Sequence, residues 1–454
     1  MGMVVGDKTL MGFKFTLSLL LGLFLLLPVQ AQEKLITDRV FHIPDPKSQN
    51  IQFQMIVLAG SADESNMAQL GIAHYLEHLV LVGRNEGQAE SAQRFFADGN
   101  SNGWTSQRNT GYIHSFPANA ADRTARLERL FKFYSERLTD FAITPEDAIR
   151  ERNVVRQEHD WRYGSSPQFP VWQQATRYIY EGHPFANWTI GTPETIAAFT
   201  VEESRAFLRR WYRKGNVYFI VTGPVAAEEI KTIAEKYLST LDATPPPERA
   251  WPSQKLKVQA DSRVFQRADK RITTPSISLS RMVNANEADP LRQSAIASLV
   301  SNYLASKLTG SPHSALVEGD APVSAAITSA QLERSLPGLL TLSLGAVPEE
   351  GRSIGDVRLA LADYTKAFVK RGIDAPTLER LKRRFARDTK RSLEEPQNAP
   401  SRLIGWLTRP LPYDRLKDWP DIVASISVEE INTALAAFAG DSREAITIFE
   451  PGSE

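Results

Sequence analysis

The sequence predicts two homologous α+β domains joined by a stiff linker, and three observations carry that reading. Beyond the N-terminal segment, more than 400 of the 454 residues remain, which exceeds what one ordinary core accommodates. Pro245-Pro246-Pro247 interrupts the chain near its middle. Each proline lacks an N–H and has a fixed φ, so the run suits neither a helix interior nor a central strand. Finally, the two halves close alike. Thr200-Val201-Glu202-Glu203 reads as a helix cap ahead of a strand from Val217 to Val221. Ser427-Val428-Glu429-Glu430 reads as a cap ahead of a strand from Ala445 to Phe449. The expected division is residues 1–31 as a signal peptide, 32–240 as an N-terminal domain, 241–254 as the linker and 255–454 as a C-terminal domain.

Composition narrows the function classes. Apolar residues make up 42% and charged residues 23% of the chain, the balance of a globular protein. Lys+Arg and Asp+Glu are equal at 53 each, which argues against nucleic acid or an anionic membrane surface as a partner. The absence of cysteine excludes disulfides, thiolate metal sites and cysteine nucleophiles.

At the N-terminus, Lys8 and Lys14 precede an apolar run from Phe15 to Leu27, followed by Pro28-Val29-Gln30-Ala31. That pattern predicts a signal peptide cleaved after Ala31, with an apolar run too short to span a bilayer comfortably. No later stretch is apolar enough to span. The mature chain is therefore expected to be exported and free of the membrane, and a bacterial periplasm suits an exported protein without cysteine.

The first elements follow in order. Ile51 to Ala59 reads as a strand closed by Gly60-Ser61. Asp63-Glu64 is expected to open the next helix, since acidic residues suit a helix N-terminus. That helix contains His74-Tyr75-Leu76-Glu77-His78. His74 and His78 are four apart and project from one face, where both imidazoles can reach one metal ion. Glu77 shares that side, placed to accept a proton from an attacking water. The chain has only 7 His, so this H-x-x-E-H pattern is a specific signal.

Further along, Ser91 to Phe96 reads as a short helix, and Gly111 to Phe116 alternates like a strand. An amphipathic helix is expected from about Ala120 to Thr139. Another starts at Pro145, a residue suited to the first turn, and runs to about Tyr163. Val201 to Lys214 reads as helix and Asn216 to Thr222 as a buried strand.

Catalytic zinc usually takes three protein ligands and leaves a position for water. Two histidines call for a carboxylate. Glu151 and Glu158 are seven apart and nearly eclipsed on one helix face. Either can ligate while the other braces a ligating histidine.

HYLEH, followed by the helix ERNVVRQEH, resembles the pitrilysin/insulysin family of zinc peptidases, the inverzincins. IVLAGSADE, SNGWTS and GNVYFIVTG fall where that family has similar segments, as does GIDAPTLERLKRR in the second half. The resemblance implies zinc, one ion per chain, held by His74, His78 and Glu158. It makes Glu77 the general base and Glu151 the partner behind a ligand. Asn102, Gly103 and Trp104 would lie on an edge strand that accepts the substrate as an added strand. The implied fold is a pair of α+β domains, each a mostly antiparallel sheet with helices packed on it, forming half or all of a clamshell chamber. The implied activity is endopeptidase cleavage of unfolded peptides; the alternative is a non-catalytic scaffold subunit.

In that family the second domain often offers an Arg and, seven residues later, a Tyr. Leu316 and Val323 stand at the matching positions here, and no Arg lies between Arg292 and Arg334. The expected partner is a homologous subunit that supplies Arg and Tyr in a heterodimer, as in mitochondrial processing peptidase, with a homodimer as the second choice.

Overall fold

The computed structural model describes residues 34–64, 66–82, 100–139, 143–248, 258, 260–285, 289–319, 322–409 and 413–452. The signal-peptide reading, the helix expected from Ser91 to Phe96, and the linker beyond position 248 lie outside the described residues.

Two sheets organise the chain. The first comprises β1 (Lys34–Leu35), β2 (Val40–Pro44), β3 (Asn50–Val57), β4 (Asn100–Thr105), β5 (Thr110–Pro117) and β6 (Val217–Gly223), in the order β1-β2-β6-β3-β5-β4. The second comprises β7 (Asp261–Asp269), β8 (Ser276–Asn284), β9 (Ser324–Leu336), β10 (Leu339–Pro348) and β11 (Arg443–Pro451), in the order β7-β11-β8-β10-β9. Leaving β1 aside, the two orders are the same, strand for strand. The senses match as well: β2–β6 and β7–β11 are the parallel pairs, and the rest are antiparallel. The repeat inferred from two caps and two strands therefore extends through both sheets.

The caps are built alike. Thr200 accepts from Glu203 N and Ser427 from Glu430 N, and each glutamate carboxylate returns to its cap residue's backbone N–H. Such a cap contributes about 1 kcal/mol. The helices they start, Val201–Trp211 and Val428–Ala436, each precede the strand that pairs in parallel at the sheet's far side.

One face of each sheet carries its own half's helices, and the main cores lie there. Phe53, Met55, Tyr112, Phe131, Tyr134 and Phe219 belong to the first core, and Ile277, Leu342, Leu344, Phe368 and Ile446 to the second. The opposite face of each sheet is covered in part by the other half. Phe41, Ile43, Ile56 and Ile220 pack with Ala399 and Leu403 of the helix Ala399–Leu407. Reciprocally, Ala175, Tyr178 and Ile179 of the helix Phe169–Ile179 pack with Met282, Leu339 and Ala445. Arg443 Nη1 donates to Tyr178 O at 3.1 Å on the same contact. This exchange explains why β3 is buried along nearly its whole length, with no polar alternation.

Several expected boundaries shift. Asp63-Glu64 does not open the motif helix. Ser61–Asp63 is a single 3₁₀ turn, and the helix begins at Ile72. Gly71 precedes it at φ +92°, where an added Cβ would lie 2.4 Å from Ile190 O. The carboxylate still serves the helix start: Glu64 Oε1 accepts from Gly71 N at 3.0 Å and Ala73 N at 3.2 Å. The acid therefore caps from seven residues upstream and not from within the first turn. The amphipathic helix spans Arg123–Arg137, and the one starting at Pro145 ends as α-helix at His159, then widens into a π-helical turn over Asp160–Gly164.

Candidate active site

The motif helix, Ile72–Val82, is held by its apolar side. Ile72, Ala73, Leu76, Leu79 and Val80 are buried in the first core. Tyr75 extends to the second site helix, Pro145–His159, where its hydroxyl donates to Ala148 O at 2.5 Å. That second helix starts cleanly, with Thr144 accepting from Asp147 N and Pro145 in the first turn. With both helices fixed, the polar stripe of one faces the polar stripe of the other.

On those stripes, His74, His78 and Glu158 converge. Glu158 Oε2 lies 3.6 Å from His74 Nε2 and 3.3 Å from His78 Nε2. Ligand atoms on one tetrahedral zinc, at bonds of about 2.0–2.1 Å, stand about 3.3 Å apart. The carboxylate oxygen thus stands near that spacing from each imidazole, all three donor atoms lie within 4.8 Å of one another, and the donor set of two imidazoles and a carboxylate suits zinc. The two rings meet edge to face, with centroids 4.9 Å apart.

Glu151 lies behind this set. Its Oε2 is 3.4 Å from His78 Nδ1, which favours a proton on Nδ1 and leaves Nε2 facing Glu158. The two glutamates left open by spacing alone are separated by geometry: Glu158 reaches both histidines, and Glu151 reaches the back of one.

Glu77 is 5% exposed and presses against β4. Thr105 Oγ1 donates to its Oε2 at 2.7 Å. Gly103 makes room for the other oxygen, since a Cβ there would stand 2.5 Å from Glu77 Oε1. β4 is the last strand of its sheet among the described residues, so Asn102, Gly103 and Trp104 do sit on an edge beside the histidines. The edge is partly blunted, because Asn102 Oδ1 accepts from Gly103 N at 2.9 Å. The Trp104 ring lies against Gly111. All three residues border a cavity of about 750 Å³ that also contains His74, Glu77, His78 and Glu158.

The electrostatics follow from burial and pairing. Burial, opposed by the Thr105 hydrogen bond, pushes the Glu77 carboxyl up to about 7. Burial and then the neighbouring His78 hold His74 down at about 4. Burial alone would lower His78 too, but the Glu151 and Glu158 carboxylates outweigh it and raise it to about 9. For Glu158, burial acts upward and the two histidines prevail, holding it below its usual value.

Two contributors escape a motif reading. Thr105 is tied to Glu77 across sequence, and only the fold brings them together. Arg162 Nη1 lies 3.0 Å from Glu158 Oε1, so it engages the carboxylate oxygen that the histidines do not. Its position four residues after Glu158 is the one trace of this pair in the sequence.

A model of the family described as Insulinase (Peptidase family M16) matches residues 39–192, and a model described as Peptidase M16 inactive domain matches residues 198–385. The chain belongs to peptidase family M16. Its M16 relatives include an Escherichia coli protein named probable zinc protease PqqL, 27% identical over 52% of this chain and 26% of the relative. A Helicobacter pylori protein named zinc protease PqqE is 26% identical over 45% of each chain. This chain spans less than half the length of either. Among solved structures, a protease from Helicobacter pylori superposes with a TM-score of 0.74 at 18% identity, covering 91% of this chain and 97% of that one. At that identity the likeness speaks for the fold. The M16 inactive-domain match falls mostly on the second half, where the sequence has no second H-x-x-E-H.

Proposed function

We propose that this chain is a zinc-dependent endopeptidase that cleaves unfolded peptides and works as the zinc-bearing subunit of a two-subunit enzyme. The observation that carries the activity is the convergence of His74, His78 and Glu158 beside a buried Glu77 that is held by β4. Names of relatives that include zinc protease support the same class.

Zinc, when bound, would polarise the scissile carbonyl and lower the pKa of water. The chain's own groups do the rest. His74, His78 and Glu158 would hold the ion, the histidines through Nε2, with Glu151 behind His78 Nδ1 and Arg162 on the outer oxygen of Glu158. Glu77, whose carboxyl burial raises to about 7, takes the proton of the attacking water at one carboxylate oxygen and later gives it to the leaving amine. Thr105 keeps that carboxylate aimed. The β4 edge pairs with an extended substrate, Asn102 yielding the Gly103 amide as it does so.

The two-subunit reading rests on the second half. Leu316 is buried in the second core and Val323 packs against it, so neither position offers a donor to a developing oxyanion. Losing such a donor typically costs about 3 kcal/mol of barrier, and a homologous subunit that supplies Arg and Tyr would restore it. Export to a periplasm is supported by the apolar N-terminal run, and a solved relative is titled the periplasmic protease PqqL.

The test is metal content together with turnover of a quenched peptide. About one zinc per chain and hydrolysis abolished by chelation are expected. Metal without hydrolysis, alone or with a homologous subunit, contradicts the peptidase reading. Full activity alone, unchanged by that subunit, contradicts the two-subunit reading.

A further inference from the structure

We propose that a second binding site, for the carboxylates of an extended acidic peptide, lies beyond the end of β4, where the β4–β5 turn meets the second half of the chain. It rests on the peptidase reading, since the peptide that fills it is the substrate laid along β4. A cavity of about 540 Å³ opens there, bordered by Arg108, Arg334 and Arg409 together with Ser298, Asn302 and Glu333.

Three guanidinium groups from three separate parts of the fold meet at this cavity. Arg108 is in the β4–β5 turn. It is held by stacking over the Phe185 ring, 4.9 Å from its centroid, and by donating to Ser335 O at 2.6 Å. Arg334 is on β9 and half-buried, and Arg409 follows the helix Ala399–Leu407 and is exposed. Burial, then the charges of Arg108 and Arg409, push the Arg334 guanidinium down to about 10. Like charges brought together in a partly buried site raise the energy of the empty cavity, and a bound anion lowers it. Glu333 is the one acid among the described residues bordering the cavity, so positive charge is in excess. The Asn302 amide nitrogen gives one hydrogen to Ser298 O at 3.0 Å and has a second to offer, and guanidinium pairs with carboxylate by two parallel hydrogen bonds.

Position selects the ligand. Thr105, which holds Glu77, is the last residue of β4, and Arg108 is three residues on. Thr105 pairs with Thr110, so residues 106–109 form the turn and Arg108 lies just beyond the end of β4, in the direction that a strand added to β4 and continued past Thr105 would take. The cavity therefore meets side chains of the added strand beyond the end of β4, and it selects Asp or Glu there.

The experiment measures binding without cleavage, in zinc-loaded Glu77→Gln protein. Fluorescence anisotropy compares an unstructured glutamate-containing peptide with its glutamine counterpart at low salt. Tighter binding of the acidic peptide by about tenfold is expected, from charge-assisted pairing. That advantage should vanish in the double variant Arg108→Gln, Arg409→Gln and survive in Arg409→Lys. Thermal melting confirms that the double variant is folded. Equal affinity for the two peptides in the parent protein, or an undiminished advantage in the folded double variant, overturns the site. If the unmodified chain with its partner hydrolyses neither peptide, the peptidase reading fails on that result alone, while anisotropy still decides the anion site.

Discussion

His78 and Glu158 set the chemistry at the scale of single residues. Replacing Glu158 with Gln removes the one carboxylate among the described residues that lies within reach of both histidines, so zinc should be lost. Replacing Glu151 with Gln leaves the donor set whole and removes the brace behind His78, which should weaken zinc binding about 10- to 100-fold. Competition with a chelating dye measures both. Loss of zinc in Glu151→Gln and retention in Glu158→Gln would reverse the assignment.

The same dye gives the pH dependence. In the metal-free chain His78 is raised to about 9 and His74 lowered to about 4. At neutral pH zinc must therefore displace one proton, from His78, and none from His74. A raised pKa means the proton competes at low pH, so apparent affinity should climb about tenfold per pH unit and level off near 9. An affinity that is flat across neutral pH would show that His78 is already unprotonated.

Strands and helices explain why some of this was legible in sequence and some was not. The spacing of His74, Glu77 and His78 is a property of one helix, and so is the eclipsed pair Glu151 and Glu158. Local periodicity was enough to find them. The choice between the two glutamates depends on how two helices face each other, which periodicity does not contain; the expectation came from the family resemblance, and Glu158 is the one of the two that lies within 3.6 Å of both histidines. Thr105 belongs to another element and left no signal near the motif. Glu64 was placed at the right helix end for the right electrostatic reason, but Gly71 moves the helix start away from it.

β4 gives a prediction at this scale. Gly103→Ala would put a methyl group 2.5 Å from Glu77 Oε1, so either β4 or the carboxylate must shift. Because the histidines and Glu158 are untouched, zinc content should persist while kcat falls about tenfold or more. Unchanged kcat in Gly103→Ala would show that Glu77 does not need this cradle.

Across the whole molecule, the reciprocal packing of the two halves decides what can be cut apart. A fragment ending at residue 240 loses the helix Ala399–Leu407 and exposes Phe41, Ile43, Ile56 and Ile220 on the open sheet face. Such an apolar patch is an aggregation liability, and the fragment should be insoluble or bind a hydrophobic dye. A monomeric, zinc-binding, well-folded fragment would contradict the packing. Two halves were visible in sequence from the prolines and the paired caps. Their interlocking was not, because a nearly continuous apolar strand such as β3 reports burial on both faces without saying what covers each.

The most direct test of the central claim is the hydrolysis of a quenched peptide by zinc-loaded Glu77→Gln protein, assayed with the same partner as the parent. The variant should retain one zinc per chain and the parent's melting temperature to within a few degrees. It should lose at least about 100-fold in turnover, the scale for removing a general base. Near-parental turnover by a metal-loaded Glu77→Gln chain would contradict the assignment of Glu77 as the proton acceptor and, with it, the reading of this site as a peptidase centre.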